Sequence, residues 1–235
     1  MKVGKFHGSI FHFKWCTIEE KVEFHAFGDA SERGYGSVVY LRIPNENGGC
    51  HVSFVVSKAR VAPVKKVSLP RLELLAALIT ARLLVHVMKA LGLSQAKHVC
   101  YSDSQVALCW IRSSSSRWKT YVANRVTEIQ QLTNPSVWRH CPGVDNPADA
   151  ASRGTFMKDL MSTSLWLQGP GWLTSGEFPD EIPVDNASMH YGGEEKKSAV
   201  SMPSVSVDCF DFSVYSSFPR LLNVIGWIRQ FIFNS

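Results

Sequence analysis

The feature that most restricts the fold of this chain is a change of hydrophobic period at Pro70. Before it lie three β-branched runs: V-E-F-H-A-F-G-D (22–29), G-S-V-V-Y-L-R-I (36–43) and C-H-V-S-F-V-V-S (50–57). The last two are separated by P-N-E-N-G-G, turn chemistry that predicts an antiparallel hairpin and hence a three-stranded meander. After Pro70, L-E-L-L-A-A-L-I-T-A-R-L-L-V-H-V-M-K-A-L follows a 3.6-residue period to about Leu91, where Gly92 stops it. A helix this apolar needs a sheet to cover it. A strand over 97–102 comes next, then a helix opening at Asp103 and broken by Ser113–Ser116. A helix from about Lys119 to Leu132, a strand around Val137–His140 and a short helix from Ala148 complete the order.

The order βββ-α-β-α-α-β-α predicts an α/β domain. Its sheet is mixed and five-stranded, three antiparallel strands then parallel ones, with helices on both faces. A right-handed crossover lays strand 97–102 parallel to strand 22–29. Boundaries follow from composition: a lead-in over 1–21, the domain over 22–156, a docking segment and linker over 157–208, and a C-terminal helical segment over 209–235. The last two make an irregular C-terminal extension. In the linker region only L-W-L-Q-G-P-G-W-L (165–173) is apolar enough to dock on a surface.

Charge narrows the partners. The chain of 235 residues carries a net charge of +5, but residues 22–154 hold 16 basic and 9 acidic groups. Positive charge is thus concentrated in the domain, which suits a polyanion. The six cysteines, at 16, 50, 100, 109, 141 and 209, form no C-x-x-C pair, arguing against structural zinc and for buried thiols in a reducing compartment. The opening residues are interrupted by Lys5, His7, His12 and Lys14 and do not read as a signal segment. The apolar run Leu221–Phe233 contains Arg229 and is too short for a bilayer span. An intracellular protein without membrane or small-molecule cofactor is expected, cytoplasmic or nuclear.

Four carboxylates fall at ends of predicted elements: Asp29, Glu73, Asp103 and Asp149. Each has a structural explanation alone. Asp29 opens a turn, Glu73 meets the helix dipole in a first turn, Asp103 serves as an N-cap, and Asp149 completes a capping arrangement in N-P-A-D. Together they suggest a site, because parallel strands would place Asp29 and Asp103 on one carboxyl-end rim, where α/β sheets hold ligands. Glu73 is harder to place. The crossover is expected to put its helix start at the opposite rim, so that only a tilted helix entered by the 58–70 loop returns it. Clustered carboxylates without histidine suit Mg²⁺, with Mn²⁺ as a substitute. Two such ions about 3.5–4 Å apart can clamp the attacking and leaving oxygens of a phosphodiester displacement.

These motifs carry a resemblance. D-A-S-E-R-G-Y-G, L-E-L-L-A-A, Y-S-D-S-Q-V-A-L and N-P-A-D, in that order, resemble ribonuclease H. V-S-L-P-R-L-E-L-L-A-A, R-W-K-T-Y-V-A-N-R-V, W-R-H-C-P-G-V-D-N-P-A-D-A-A-S-R-G and L-W-L-Q-G-P-G-W-L narrow it to the ribonuclease H region of BEL/Pao-type retrotransposon polyproteins, the Pao retrotransposon peptidase family. The resemblance covers roughly 22–173. It implies a ribonuclease H fold whose long helix delivers the glutamate to the site. It also implies an Asp-Glu-Asp-Asp set (Asp29, Glu73, Asp103, Asp149) holding two ions, with Asp29 bridging them. The implied reaction cuts the RNA strand of RNA/DNA hybrids and leaves a 5′-phosphate and a 3′-hydroxyl. Many relatives carry a histidine after the P-G of the last loop; here Val144 stands there, which bears on turnover. His140 precedes the P-G and is not its equivalent.

For substrate contacts, Arg117, Lys119 and Arg125 interleave with Trp118 and Tyr121, either as phosphate and base contacts or as a solvated face over core aromatics. Lys58, Arg60, Lys65 and Lys66 precede the long helix in a loop able to reach a strand, or are simply solvated. Ser104 and Gln105 sit at a helix N-terminus, where free N–H groups suit phosphate. Neither D-[S/T]-G nor Y-x-D-D occurs, so protease and polymerase chemistry are not expected, and His190 with Cys209 cannot make an integrase zinc site. Reverse transcriptase and integrase portions of a polyprotein are the implied partners. The alternative function is an inactive nucleic-acid-binding module or truncated transposon remnant.

Overall fold

The computed structural model describes residues 21–45, 49–179 and 193–196, with residues 222, 223, 226, 227 and 230. The chain divides into two units, Met1–Lys196 and Lys197–Ser235. In the second, the five described residues are helical and exposed. Most of the 209–235 segment and the 1–21 lead-in (all but its last residue) lie outside the described residues.

The first unit is built on strands β1 (Glu23–Ala30), β2 (Gly34–Pro44), β3 (Cys50–Val61), β4 (Lys97–Ser102) and β5 (Trp138–His140). They form one sheet in the order β3-β2-β1-β4-β5. β1 pairs antiparallel with β2 and parallel with β4, and β5 pairs parallel with β4. The mixed sheet expected from the change of period is therefore present. β1 is central and buried on both faces, which explains why it reads as an almost unbroken apolar run.

One face packs on α1 (Leu69–Ala90), α2 (Gln105–Arg112) and α3 (Thr120–Leu132). Phe24, Ala26, Leu74, Leu84, Leu108, Trp110, Val122, Ile129 and Trp138 make that core. The other face is covered by α4 (Ala148–Arg153), α5 (Met157–Ser162), α6 (Ser164–Gln168) and α7 (Gly171–Ser175). There Phe27, Tyr40, Tyr101, Ala148, Trp166 and Leu173 are buried together. Residues 165–173 are thus the two short helices α6 and α7 and the turn between them. The Tyr40 hydroxyl donates to the Trp166 carbonyl at 2.7 Å and Arg42 Nε donates to the Leu173 carbonyl at 2.7 Å. Tyr40→Phe strands a buried carbonyl and is expected to cost about 1–2 kcal/mol, read as a lowered denaturant midpoint with unchanged slope.

The sheet corrects the expectation for Glu73. Two antiparallel reversals make β3 parallel to β1, so β3 ends on the same rim as β1. Val61 pairs with Gly34, and Tyr35 with Ala30, at that rim. The loop over 62–68 therefore starts α1 on the Asp29 rim. No return from the opposite side is needed. The helix also begins two residues before Arg71, at Leu69, with Ser68 as N-cap. Glu73 is its fifth residue and buried, so the first-turn dipole explanation does not hold.

Candidate metal centre

Three local devices bring the carboxylates together. The first is a close crossing of α1 over β1. A Cβ on Gly28 would lie 2.5 Å from Thr80 Oγ1 and 3.3 Å from the Ala76 carbonyl oxygen. Without it, the helix face carrying residues 73, 76 and 80 rests on the strand, and Glu73 reaches the strand end. The second is the cap of α2. Ser104, not Asp103, is its N-cap, its hydroxyl accepting from the Ala107 N–H at 3.2 Å. The capping duty expected of Asp103 is thus discharged by its neighbour, and the Asp103 carboxylate is left to face the rim.

The third device is α4, which packs so near β2 that a Cβ on Gly36 would lie 2.7 Å from the Ala151 Cβ. That approach sets the Ser152 hydroxyl as a donor to Asp29 Oδ2. Asn146 fastens the preceding loop: its amide nitrogen donates to the Gly28 carbonyl at 3.1 Å, and its Oδ1 accepts from the Ala148 N–H at 3.1 Å. Ser152 and Asn146 are supporting residues that motif reading did not single out. Their signal lay in the spacing of N-P-A-D-A-A-S, three residues to either side of Asp149.

The outcome is a trio. Asp29, Glu73 and Asp103 each offer a carboxylate oxygen, all within 4.8 Å of one another. Glu73 Oε2 and Asp103 Oδ1 are buried without a hydrogen-bond partner. Burial, together with the neighbouring Asp103 and Asp29, pushes the Glu73 carboxyl up to about 9. Burial pushes Asp29 up to about 7 against the hydrogen bond from Ser152, and Asp103 is also raised, chiefly by burial. Carboxyls set this close titrate as a pair, a proton on one favouring ionisation of the other. Closely set hard oxygens, two of them orphaned, fit a divalent cation. Such a cation would replace the protons that now relieve the repulsion.

A pH dependence follows. Unfolded, these carboxyls titrate near 4. Folded, Asp29 and Glu73 hold their protons to about 7 and about 9. Between those limits the native chain binds more protons than the unfolded one, so stability falls as pH rises. Calorimetry in chelator is expected to show a melting temperature that declines from pH 5 to pH 9, and Glu73→Gln should flatten the slope. A flat wild-type profile would contradict the assignment.

Asp149 stands apart from the trio. Its Oδ1 accepts from Arg153 Nε at 2.6 Å, an i,i+4 pair at the surface, and it reaches the trio through its charge alone. Val144 is 86% exposed in the turn over Gly143–Asp145. His140 is half-buried on β5 in register with Ser102, and its charge favours ionised Asp103.

The expected substrate contacts divide. Trp118 is fully buried and its indole N–H donates to Ser113 Oγ at 2.9 Å, so its assignment to base stacking is corrected to core packing against Trp110. Lys65 and Lys66 are exposed in the loop before α1, and Gln105 is exposed at the start of α2. Ser104 is occupied as a cap. Lys119 is exposed, Arg117 is ion-paired to Glu195 at 2.6 Å, and the Arg125 guanidinium lies 3.5 Å from the Tyr121 ring centroid.

The sheet order and the placing of helices on both faces define an RNase H-like fold. Residues 11–104 match the model of the Pao retrotransposon-like RNaseH-like domain family. No curated protein matches the sequence. Among solved structures, RNase H1 from Halobacterium salinarum is 17% identical, covering 55% of this chain and 93% of its own, with a TM-score of 0.34. An N-terminal RNase H domain from Mycobacterium tuberculosis is 14% identical over 57% of this chain and 94% of its own, TM-score 0.36. LC11-RNase H1 from compost, in complex with an RNA/DNA hybrid, is 14% identical over 60% of this chain and 99% of its own, TM-score 0.39.

Proposed function

We propose that this domain is a divalent-metal-dependent endonuclease of retrotransposon origin that hydrolyses the RNA strand of RNA/DNA hybrids. The observation carrying the reading is the trio of buried Asp29 and Glu73 with half-buried Asp103, whose oxygens converge within 4.8 Å at the sheet rim. Two bound Mg²⁺ or Mn²⁺ ions would supply an activated water and neutralise charge on the leaving oxygen. Asp29 would hold metal through a carboxylate oxygen beside those of Glu73 and Asp103. Glu73 and Asp103 would each give the oxygen that now lacks a partner. Ser152 fixes the Asp29 rotamer by its hydrogen bond, and Asn146 holds α4 against β1. Asp149 would join from the surface, where its Oδ1 accepts from Arg153. Lys65, Lys66, Lys119, Arg117 and Arg125 supply cations for the phosphate backbone.

Incubation of the full chain with end-labelled hybrid, duplex DNA and single-stranded RNA tests this reading. Cuts confined to the hybrid's RNA strand, dependent on Mg²⁺ or Mn²⁺ and abolished by chelator, are expected. No cut with either metal would overturn it. A second reading, an inactive hybrid-binding module, is favoured by the outward Asp149–Arg153 pair and by exposed Val144; it predicts hybrid binding without cleavage.

A further inference from the structure

The cationic surface at the entry to α3 is already engaged by the chain's own acidic groups. Residues 193–196 lie along the entry to α3. Trp118 and Glu195 form an antiparallel bridge, the Lys119 N–H donates to the Glu194 carbonyl at 2.8 Å, and the Lys196 N–H donates to the Arg117 carbonyl at 3.0 Å. Two carboxylates then meet two guanidiniums: Glu195 Oε1 lies 2.6 Å from Arg117 Nε, and Glu194 Oε1 lies 2.7 Å from Arg71 Nε.

Arg71 brings the start of α1 onto this surface. It shares the first turns of α1 with Glu73, two residues on, but lies on a different face of the helix, toward α3. Its guanidinium lies 4.6 Å from the centroid of the Tyr121 ring, which also carries Arg125 at 3.5 Å. Arg71, Arg125, Arg117 and Lys119 thus gather at the entry to α3, around Tyr121 and the 193–196 segment. Two of these four cations are held by Glu194 and Glu195, consecutive carboxylates standing where phosphates would.

The grip is incomplete. Arg71 uses only Nε toward Glu194, and Glu194 Oε2 is buried with no partner. A fully satisfied structural ion pair would close that oxygen. A contact with one unmet acceptor is one that a better-matched anion can displace.

We propose that residues 193–196 are an intramolecular phosphate mimic that covers the hybrid-binding surface at Arg71 and Arg117 and must leave when an RNA/DNA hybrid binds. This rests on the reading of the domain as hybrid-binding, and its test does not use cleavage. Hybrid affinity is measured by fluorescence anisotropy on the full chain in chelator, for wild type and Glu194→Gln/Glu195→Gln. The double variant is expected to bind about tenfold more tightly, equivalent to about 1.4 kcal/mol. Equal or weaker binding by a folded variant would overturn the proposal. Undetectable binding by both proteins would overturn it as well.

Should the double variant fail to fold, the exchange Arg117→Glu/Glu195→Arg keeps an ion pair at the bridge. It is expected to lower affinity at least tenfold, because the fixed side of the pair now repels phosphate. Unchanged affinity would show that the pair is structural alone and contradict the proposal. Loss of cleavage with these binding changes intact would count against the nuclease reading and not against the mimic.

Discussion

Asp103→Asn is expected to lower metal-dependent cleavage of the hybrid about a thousandfold while raising the melting temperature of the metal-free protein at pH 8. The two effects have one cause. Asp103 is pressed against Asp29 and Glu73 in a buried site where like charges destabilise one another. An amide of the same shape removes one charge and can donate to either remaining carboxylate. It also removes one oxygen from the cation's coordination, worth several kcal/mol of charge stabilisation at the transition state, at about 1.4 kcal/mol per tenfold in rate. Steady-state cleavage and calorimetry in chelator check the pair of effects. A variant that loses activity and stability together would indicate misfolding, and one that keeps activity would remove Asp103 from the site.

Gly28→Ala is the second large effect. The added methyl meets Thr80 Oγ1 and the Ala76 carbonyl, and the latter is helix backbone that cannot rotate aside. Overpacking of this kind costs about 1–3 kcal/mol, or about 2–4 °C of melting temperature per kcal/mol for a domain of this size. Relief requires α1 to lift from β1, which carries Glu73 away from Asp29. A displacement of about 1 Å at a reacting centre costs about a hundredfold in rate. Activity should therefore fall by far more than the lost stability explains, and Thr80→Ser, which keeps the Oγ1 contact, should not rescue it. Full activity in Gly28→Ala would show that the close crossing does not place Glu73.

Much of this arrangement was legible in the chain. The change of period at Pro70, the β-branched runs before it and Gly92 after it are local signals, and β1–β4 and α1 formed within a few residues of where they point. Asp29 and Asp103 could be set on one rim because parallel pairing of their strands follows from crossover handedness alone. Glu73 belongs to the site as expected, but the rim at which α1 starts differs for a topological reason: the direction of α1 depends on β3, and the two reversals of the meander make β3 parallel to β1. Trp118 was ambiguous because a buried tryptophan and an exposed one obey the same helical period, and only the packing of Trp110 and Ser113 around it decides. Glu194 could not be paired with Arg71 at all, since 123 residues separate them and nothing local marks the contact.

The 165–173 segment shows a middle case. Its apolar content signalled docking, but the partners that hold it, Tyr40 and Arg42, read as ordinary strand residues until the sheet sets both beneath α6 and α7. Two buried polar groups on one apolar face are informative because each needs a partner there. Both partners turn out to be backbone carbonyls of the segment.

The central claim is that Asp29, Glu73 and Asp103 form a site for divalent cations. Calorimetric titration of Mn²⁺ into the full chain at pH 7.5, in two buffers of different ionisation enthalpy, tests it most directly. The account predicts saturable binding with net proton release, since protons held by Asp29 and Glu73 must leave, and loss of both signals in Glu73→Gln/Asp103→Asn. Equal binding by wild type and that double variant, or binding with no proton release, would contradict it.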